Sequence, residues 1–410
     1  MRTPPSCADG VPNEVEDVEA VVSTFHDLIL NLFAYYASLG SSDVSAMGLN
    51  EWSEFVSDFK LADKRSKFLK SSDLDRLFIA VDTQAALYAK RAESAAKARR
   101  SGLAQLKSIG RVEFVIALVH IAILRYVSTG FLSDVSEAVH KLLADDLQPL
   151  ADPAVFVHSD AFRRNYAYLA QTTRVLHSHE SSLRATFAAI LDAGGPALAS
   201  RGLLPLETWL DFLRGAELMG ADLTQRDATF AFVFSRMVVV DGNSERGRVK
   251  ETCLPFEGFL VRAAASCAGC RLCHRAAASA VAPGLCHRSA PPLPVHSVCA
   301  PLLLLQEALC RISVLKSLPT DEEVEAAGCT DAGAFFKLLR SEDEARYERM
   351  LHERSVAWGG EPSQPIWQCV AHVLAILFRE VEEDSAGKDN LVVTQREAES
   401  WAKSVGICER

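Results

Sequence analysis

Apolar residues recur every three or four positions along most of this chain, the spacing of helices that bury one face. From Val18 to Leu39 the recurring positions are Val21, Phe25, Leu28, Leu32 and Tyr35, which predicts one long helix. Further helices are expected over Leu49–Phe59 and Ser72–Val81, the latter opened by Ser71, Ser72 and Asp73 as cap residues. A polar, basic insertion over Gln84–Gly110 interrupts the pattern, and helices resume at Val112–Tyr126 and Asp134–Leu143. Later segments with the same spacing are Ser182–Leu191, Leu206–Leu218, Thr224–Met237, Leu303–Leu315 and Ile366–Glu380. The alternation of a strand is sustained nowhere, beyond two-residue pairings where insertion loops meet. The expected class is all-α.

The same order of helices is written twice. Gly48-Leu49-Asn50-Glu51-Trp52 leading to Phe55 is matched by Pro205-Leu206-Glu207-Thr208-Trp209 leading to Phe212. Phe33 is matched by Phe187, Gly40 by Gly194, Phe78 by Phe232 and Phe114 by Phe259. Tryptophan and phenylalanine three apart mark a buried helix face, so Trp52 and Trp209 are expected to anchor two cores. What differs between the copies is the insertion: basic in the first, short in the second, where Asp241–Thr252 is followed by a cysteine- and histidine-rich segment.

Composition narrows the class without naming a chemistry. The 410 residues are 49% hydrophobic and 23% charged, enough for two or three domains with their own cores. The expected organisation is a tail over 1–15, a first helical unit over 16–150, a second over 151–385 carrying the Cys/His insertion 266–300, and a C-terminal segment over 386–410. A net charge of -10 argues against a general nucleic-acid binder. The longest apolar stretch, Val112–Val127, contains Glu113, His120 and Arg125, and is read as a buried core helix rather than a membrane span. The first residues lack the basic start and apolar run of a signal peptide, and the 11 cysteines are odd in number and clustered. A reducing, cytoplasmic location is expected.

Helix, link, helix, insertion and a further helix opening on phenylalanine is the layout of a paired EF-hand. Over Leu49–Ala122, and more loosely Leu206–Ala265, the chain resembles the p25-alpha (tubulin polymerisation-promoting protein) domain. The resemblance is carried by Trp52, Phe55, Lys60, Leu61, Asp73, Asp75, Phe78, Arg111, Phe114, Ala117 and Leu118. The glycine-rich C-terminal segment of that family has no counterpart here. The resemblance implies two EF-hand-like helical units in tandem, with added linking helices, and tubulin or axonemal proteins as partners.

Three groups of residues carry candidate chemistry. A calcium loop needs oxygens at its first, third, fifth and twelfth positions and glycine at its sixth. Asp241, Asn243 and Glu245 supply the first three, but Arg246 and Thr252 occupy the sixth and twelfth, and the residues after Asp82 supply almost none, so calcium is disfavoured. Cys267, Cys270, Cys286 and His287, with Cys273, His274, His296 and Cys299 nearby, have the donors tetrahedral zinc requires. If Phe259–Ala280 is one helix, Cys267, Cys270 and His274 would simply share a face. Lys90, Arg91, Lys97, Arg99, Arg100 and Lys107 fall in a run whose one acid is Glu93, which suits an acidic protein surface. Tyr88 is the run's lone aromatic, too few for stacking on bases.

No phosphate-binding glycine loop, nucleophile elbow, His-Glu-x-x-His or kinase signature is present. The expectation is a non-enzymatic structural or scaffold protein of the cytoskeleton, microtubule- or axoneme-associated in a cilium or flagellum. A metal-responsive adaptor, using zinc or calcium, is the alternative.

Overall fold

The computed structural model is 69% helix with a few short strands. It describes residues 14–40, 44–93, 108–151, 159–236, 252–255, 304–382 and 391–407. In chain order the elements are α1 (Glu14–Thr24), α2 (His26–Ala37), β1 (Met47–Gly48), α3 (Leu49–Asp58), α4 (Ser71–Glu93), β2 (Ser108–Ile109), α5 (Arg111–Ala122) and α6 (Val135–Lys141). They continue as α7 (Ser159–Phe162), α8 (Ala170–Ser178), α9 (Glu180–Ala193), α10 (Pro196–Arg201), β3 (Leu203–Pro205), α11 (Leu206–Gly215), α12 (Gln225–Phe234) and β4 (Cys253–Pro255). The last are α13 (Leu304–Leu315), α14 (Asp321–Ala326), α15 (Ala332–Glu342), α16 (Glu344–Glu353), α17 (Ile366–Val381) and α18 (Gln395–Ser404). Among the described residues, no helix is long and apolar enough to cross a membrane.

The chain forms two compact units. The first comprises Met1–Phe162, Thr224–Phe234 and Ala357–Glu361; the second comprises Arg163–Leu223, Ser235–Val356 and Pro362–Arg410.

In the first unit, the helix expected over Val18–Leu39 is two helices meeting at Phe25. There φ is -100° and ψ is 16°, outside the helical range, while the Phe25 and Ile29 amides still bond to Val21 and Phe25 carbonyls. Thr24 Oγ1 donates to the Ala20 carbonyl at 2.9 Å, a competing bond that bends helices. The core is an aromatic cluster. Trp52 packs on Phe55 and Phe78 with ring centroids 5.6 and 5.8 Å apart, and Phe55 meets Phe114 edge-on at 5.3 Å. Phe33 closes the cluster against Phe114 at 5.7 Å. The aromatic residues matched in the sequence repeat, Phe33, Trp52, Phe55, Phe78 and Phe114, are thus one contiguous core, each with at most 2% of its surface exposed. Helix α4 runs twelve residues beyond the expected Val81, so Asp82 lies inside a helix and opens no loop. Helices α5 and α6 each end in a wider π-turn, over Ile123–Val127 and Leu142–Leu147.

Helix α12 lies far along the chain, in the second copy of the repeat, yet it packs against α2 in the first unit. Phe230 stacks on Tyr35 at 5.1 Å, and Arg226 donates to the Tyr35 hydroxyl at 2.7 Å. Trp358 covers the other side, its ring 5.3 Å from Phe230 and 5.5 Å from Phe234.

The second unit is built on two nearly enclosed helices, α13 and α17. Helix α17 packs on α8, α13 and α15, and the close approach of α15 depends on Gly333. A Cβ there would stand 2.6 Å from the Ala375 carbonyl oxygen. Helices α14 and α18 open on capping boxes, Thr320 with Glu323 and Thr394 with Glu397. Helix α18 lies along α9 and brings Trp401 to 6.1 Å from Phe212, edge-on. Two groups of buried charges in this unit are paired. Glu307 accepts from Arg311 at 2.7 Å and from Arg163 at 2.8 Å, and Lys316 donates to Asp222 at 3.0 Å.

Candidate functional site

Two helix–strand–helix arrangements, in the order the repeat predicts, frame the loops. In the first unit, β1 lies between α2 and α3, and β2 lies between α4 and α5. The strands pair antiparallel, with Met47 opposite Ile109 and both side chains fully buried. In the second unit, β3 precedes α11 and pairs antiparallel with β4, with Leu204 opposite Leu254, again both fully buried. Each pairing is two or three residues long, enough to tie one loop to another without making a sheet.

The two tryptophan helices also end alike. Lys60 after α3 and Glu217 after α11 take left-handed backbone angles, φ 49° and 51°, without being glycine. In each case the next amide reaches back five residues, Leu61 to the Val56 carbonyl and Leu218 to the Leu213 carbonyl, both at 3.0 Å. Leu61 and Leu218 are fully buried, which completes a Schellman end with its apolar contact. No periodicity signals this, because the residues at the turn are charged.

Two carboxylates stand at the start of the helices that leave the paired strands. Glu113 accepts from the Gly110 amide at 3.1 Å and so caps α5. Glu51 turns back over the loop before α3, so that a Cβ at Gly48 would be 2.6 Å from its Oε2 and one at Gly40 3.1 Å from its Oε1. Neither residue stands out by motif: Glu51 is one of three acids in α3, and Glu113 is a single acid in an apolar run. The strand register singles them out.

The residues chosen from sequence fall differently. Lys90 and Arg91 lie in the last turn of α4, with their side chains outside what the structure describes. Lys97, Arg99, Arg100 and Lys107, the calcium candidates Asp241, Asn243 and Glu245, and the zinc candidates Cys267, Cys270, Cys286 and His287 all lie outside the described residues. Among the described residues, no three histidine, cysteine or acidic side chains come together as metal ligands.

Two of the described thiols are poor nucleophiles. Burial pushes Cys310 far above the ordinary thiol range and Cys369 up to about 11, so both stay protonated near neutral pH. Burial also lowers the pKa of His179, whose ring lies 5.5 Å from Phe378, and that of His372.

The expected buried helix over Val112–Tyr126 has an open face. Val112 is 64% exposed and Ile116 39% exposed, because α5 carries more apolar residues than its single core face can bury. Ile116, Val115 and Val119 form one wall of a groove of about 440 Å³, and Val18 and Val22 of α1 form the other. Both helices pack on α6. Comparison with family models, curated proteins and solved structures found no match to this chain.

Proposed function

We propose that the chain is a non-enzymatic scaffold of the cytoskeleton, microtubule- or axoneme-associated, built on two EF-hand-like helical pairs that dock onto protein surfaces. The observation that carries this reading is the doubled helix–strand–helix arrangement, in which short antiparallel strands tie one loop to the next and each tryptophan helix ends in the same left-handed turn. Paired helix-loop-helix elements sharing one core present rigid shapes to partners. The aromatic cores are spent on packing, which suits a module that is recognised rather than one that reacts.

The strand register favours a module that works without calcium. If Glu51 closes a twelve-residue loop, the first, third and fifth positions are Gly40, Ser42 and Val44. If Glu113 does so, they are Gly102, Ala104 and Leu106. Neither set offers a carboxylate, and Glu113 is already engaged as a helix cap.

The basic run supplies the contact. Lys90, Arg91, Lys97, Arg99, Arg100 and Lys107 are the docking residues of this reading, and the acidic surface of tubulin is the partner the resemblance suggests. Cosedimentation tests it: the protein should pellet with microtubules at low salt and be released as salt screens the contact. Changing the six residues to glutamine should abolish pelleting. No pelleting of the unaltered chain at low salt would overturn the proposal.

A further inference from the structure

We propose that the groove between α1 and α5 is the docking site for a cationic amphipathic helix of a partner protein. None of the residues lining it belongs to the basic run, and the inference survives even if microtubules prove not to bind.

Helix α1 is the starting point. It carries Val15, Val18, Val21 and Val22, yet none of its residues is fully buried. Val15, Val18 and Val22 lie along one side of the helix at three- and four-residue spacing, and Val15 is 67% exposed. Across the groove, Val112 and Ile116 extend the apolar surface along α5. Apolar residues exposed singly need no explanation, but two facing stripes with a cleft between them mark a binding surface.

The shape and chemistry of the cleft choose the occupant. At about 440 Å³ its volume is within the range of small-molecule pockets, yet it is open along its length. Its polar lining is one carboxylate, Glu19, one hydroxyl, Ser23, and two imidazoles, His26 and His120. The other five lining residues are aliphatic, which leaves few groups to orient a small ligand. Two facing apolar walls instead fit side chains repeating at i, i+3/i+4 and i+7, the reading frame of a helix laid in a groove.

Charge fixes the rest of the partner's character. The apolar stripe of α1 is flanked by Glu14, Glu16, Asp17 and Glu19, and α1 has no lysine or arginine. A helix with apolar residues on one face and lysine or arginine beside them would meet both stripe and acids. An acidic helix would be repelled.

The test is fluorescence anisotropy on the full chain with three labelled synthetic peptides: a leucine/lysine helix with apolar residues at helical spacing, a scramble of the same composition, and a leucine/glutamate helix. The leucine/lysine helix should bind at least about tenfold more tightly than either control. Val112→Asn with Ile116→Asn, at exposed positions where folding is spared, should weaken it about tenfold. Replacing Glu14, Glu16, Asp17 and Glu19 by their amides should weaken it several-fold and flatten its salt dependence. Circular dichroism of each variant keeps misfolding apart from loss of contact. Equal binding of the scramble, or binding indifferent to the α5 substitutions, would overturn the proposal. So would self-association of the chain abolished by Val112→Asn with Ile116→Asn, which would make a second copy the occupant. Binding seen only after Lys97, Arg99 and Arg100 are neutralised would assign the groove to the chain's own basic run.

Discussion

Replacing Lys316 by methionine should destabilise the second unit out of proportion to the atoms removed. The ammonium lies 3.0 Å from Asp222 Oδ1, and the two side chains are 2% and 0% exposed. The other oxygen of Asp222 accepts from the Ser317 amide at 2.9 Å. At an effective dielectric near 20 the attraction at this distance is about 5 kcal/mol, most of it offset by the cost of taking both charges out of water. Methionine fills similar space but strands a carboxylate with one amide partner, which should cost about 3–5 kcal/mol. Asp222→Asn alone strands the ammonium and should cost a similar amount. With both changes, the asparagine oxygen still accepts the Ser317 amide and no charge remains, so the loss should fall to about 1–2 kcal/mol. Because the chain has two compact units, a single melting curve would blend their transitions. Native-state hydrogen exchange of α13 amides, read by mass spectrometry, isolates the relevant unit. A double variant that loses the sum of the single losses, or a Lys316→Met variant within about 1 kcal/mol of the unaltered chain, would refute the reasoning.

Other expectations follow from the same geometry. Trp52 Nε1 is buried without an acceptor, so Trp52→Phe gives up ring volume but no hydrogen bond and should cost no more than about 2 kcal/mol in exchange-derived stability; a loss above about 4 kcal/mol would contradict it. Glu323 is held down to about 2, first by its hydrogen bonds from Arg354, with burial opposing. Its stabilising contribution is therefore complete above the unfolded value near 4.5 and lost as pH falls through about 2, amounting to about 1–2 kcal/mol after allowance for solvent screening. Arg354→Gln should remove that part of the acid dependence in urea titrations between those pH values. Lys60→Gly should raise the stability of the first unit by about 0.5–1 kcal/mol, since glycine takes φ 49° without strain; a loss would mean the lysine stem matters more than the backbone.

Much of the helical order was legible because a buried face repeats in the sequence. Trp52, Phe55, Phe78 and Phe114 could be named as core from spacing alone. Helix α4 outran its prediction because its apolar signal fades after Val81 while Ala85, Ala86 and Ala89 continue to favour helix. The left-handed turns at Lys60 and Glu217 were hidden because glycine, the usual marker, is absent. The run Phe230-Ala231-Phe232-Val233-Phe234 announces burial on all sides but not which partner provides it, so no local pattern could place α12 against Tyr35. The groove was missed for a related reason: Val112 and Ile116 are apolar, and apolar positions in a core-like helix read as buried until the neighbouring helices are known. The acids Glu51 and Glu113 needed the strand register before they meant anything.

The placement of α12 and Trp358 has a consequence for synthesis. A chain emerging from the ribosome completes Met1–Phe162 long before Ala357–Glu361 exists. At about 5–20 residues per second, the Tyr35 face of α2 waits several seconds for Phe230, and the completed aromatic stack waits on the order of ten seconds or more for Trp358. During that interval the nascent first unit displays an incomplete aromatic surface, a natural target for holding chaperones. A fragment ending at Phe162 would keep that surface indefinitely, so cutting the chain at the end of the first repeat yields an unfinished core rather than an independent module.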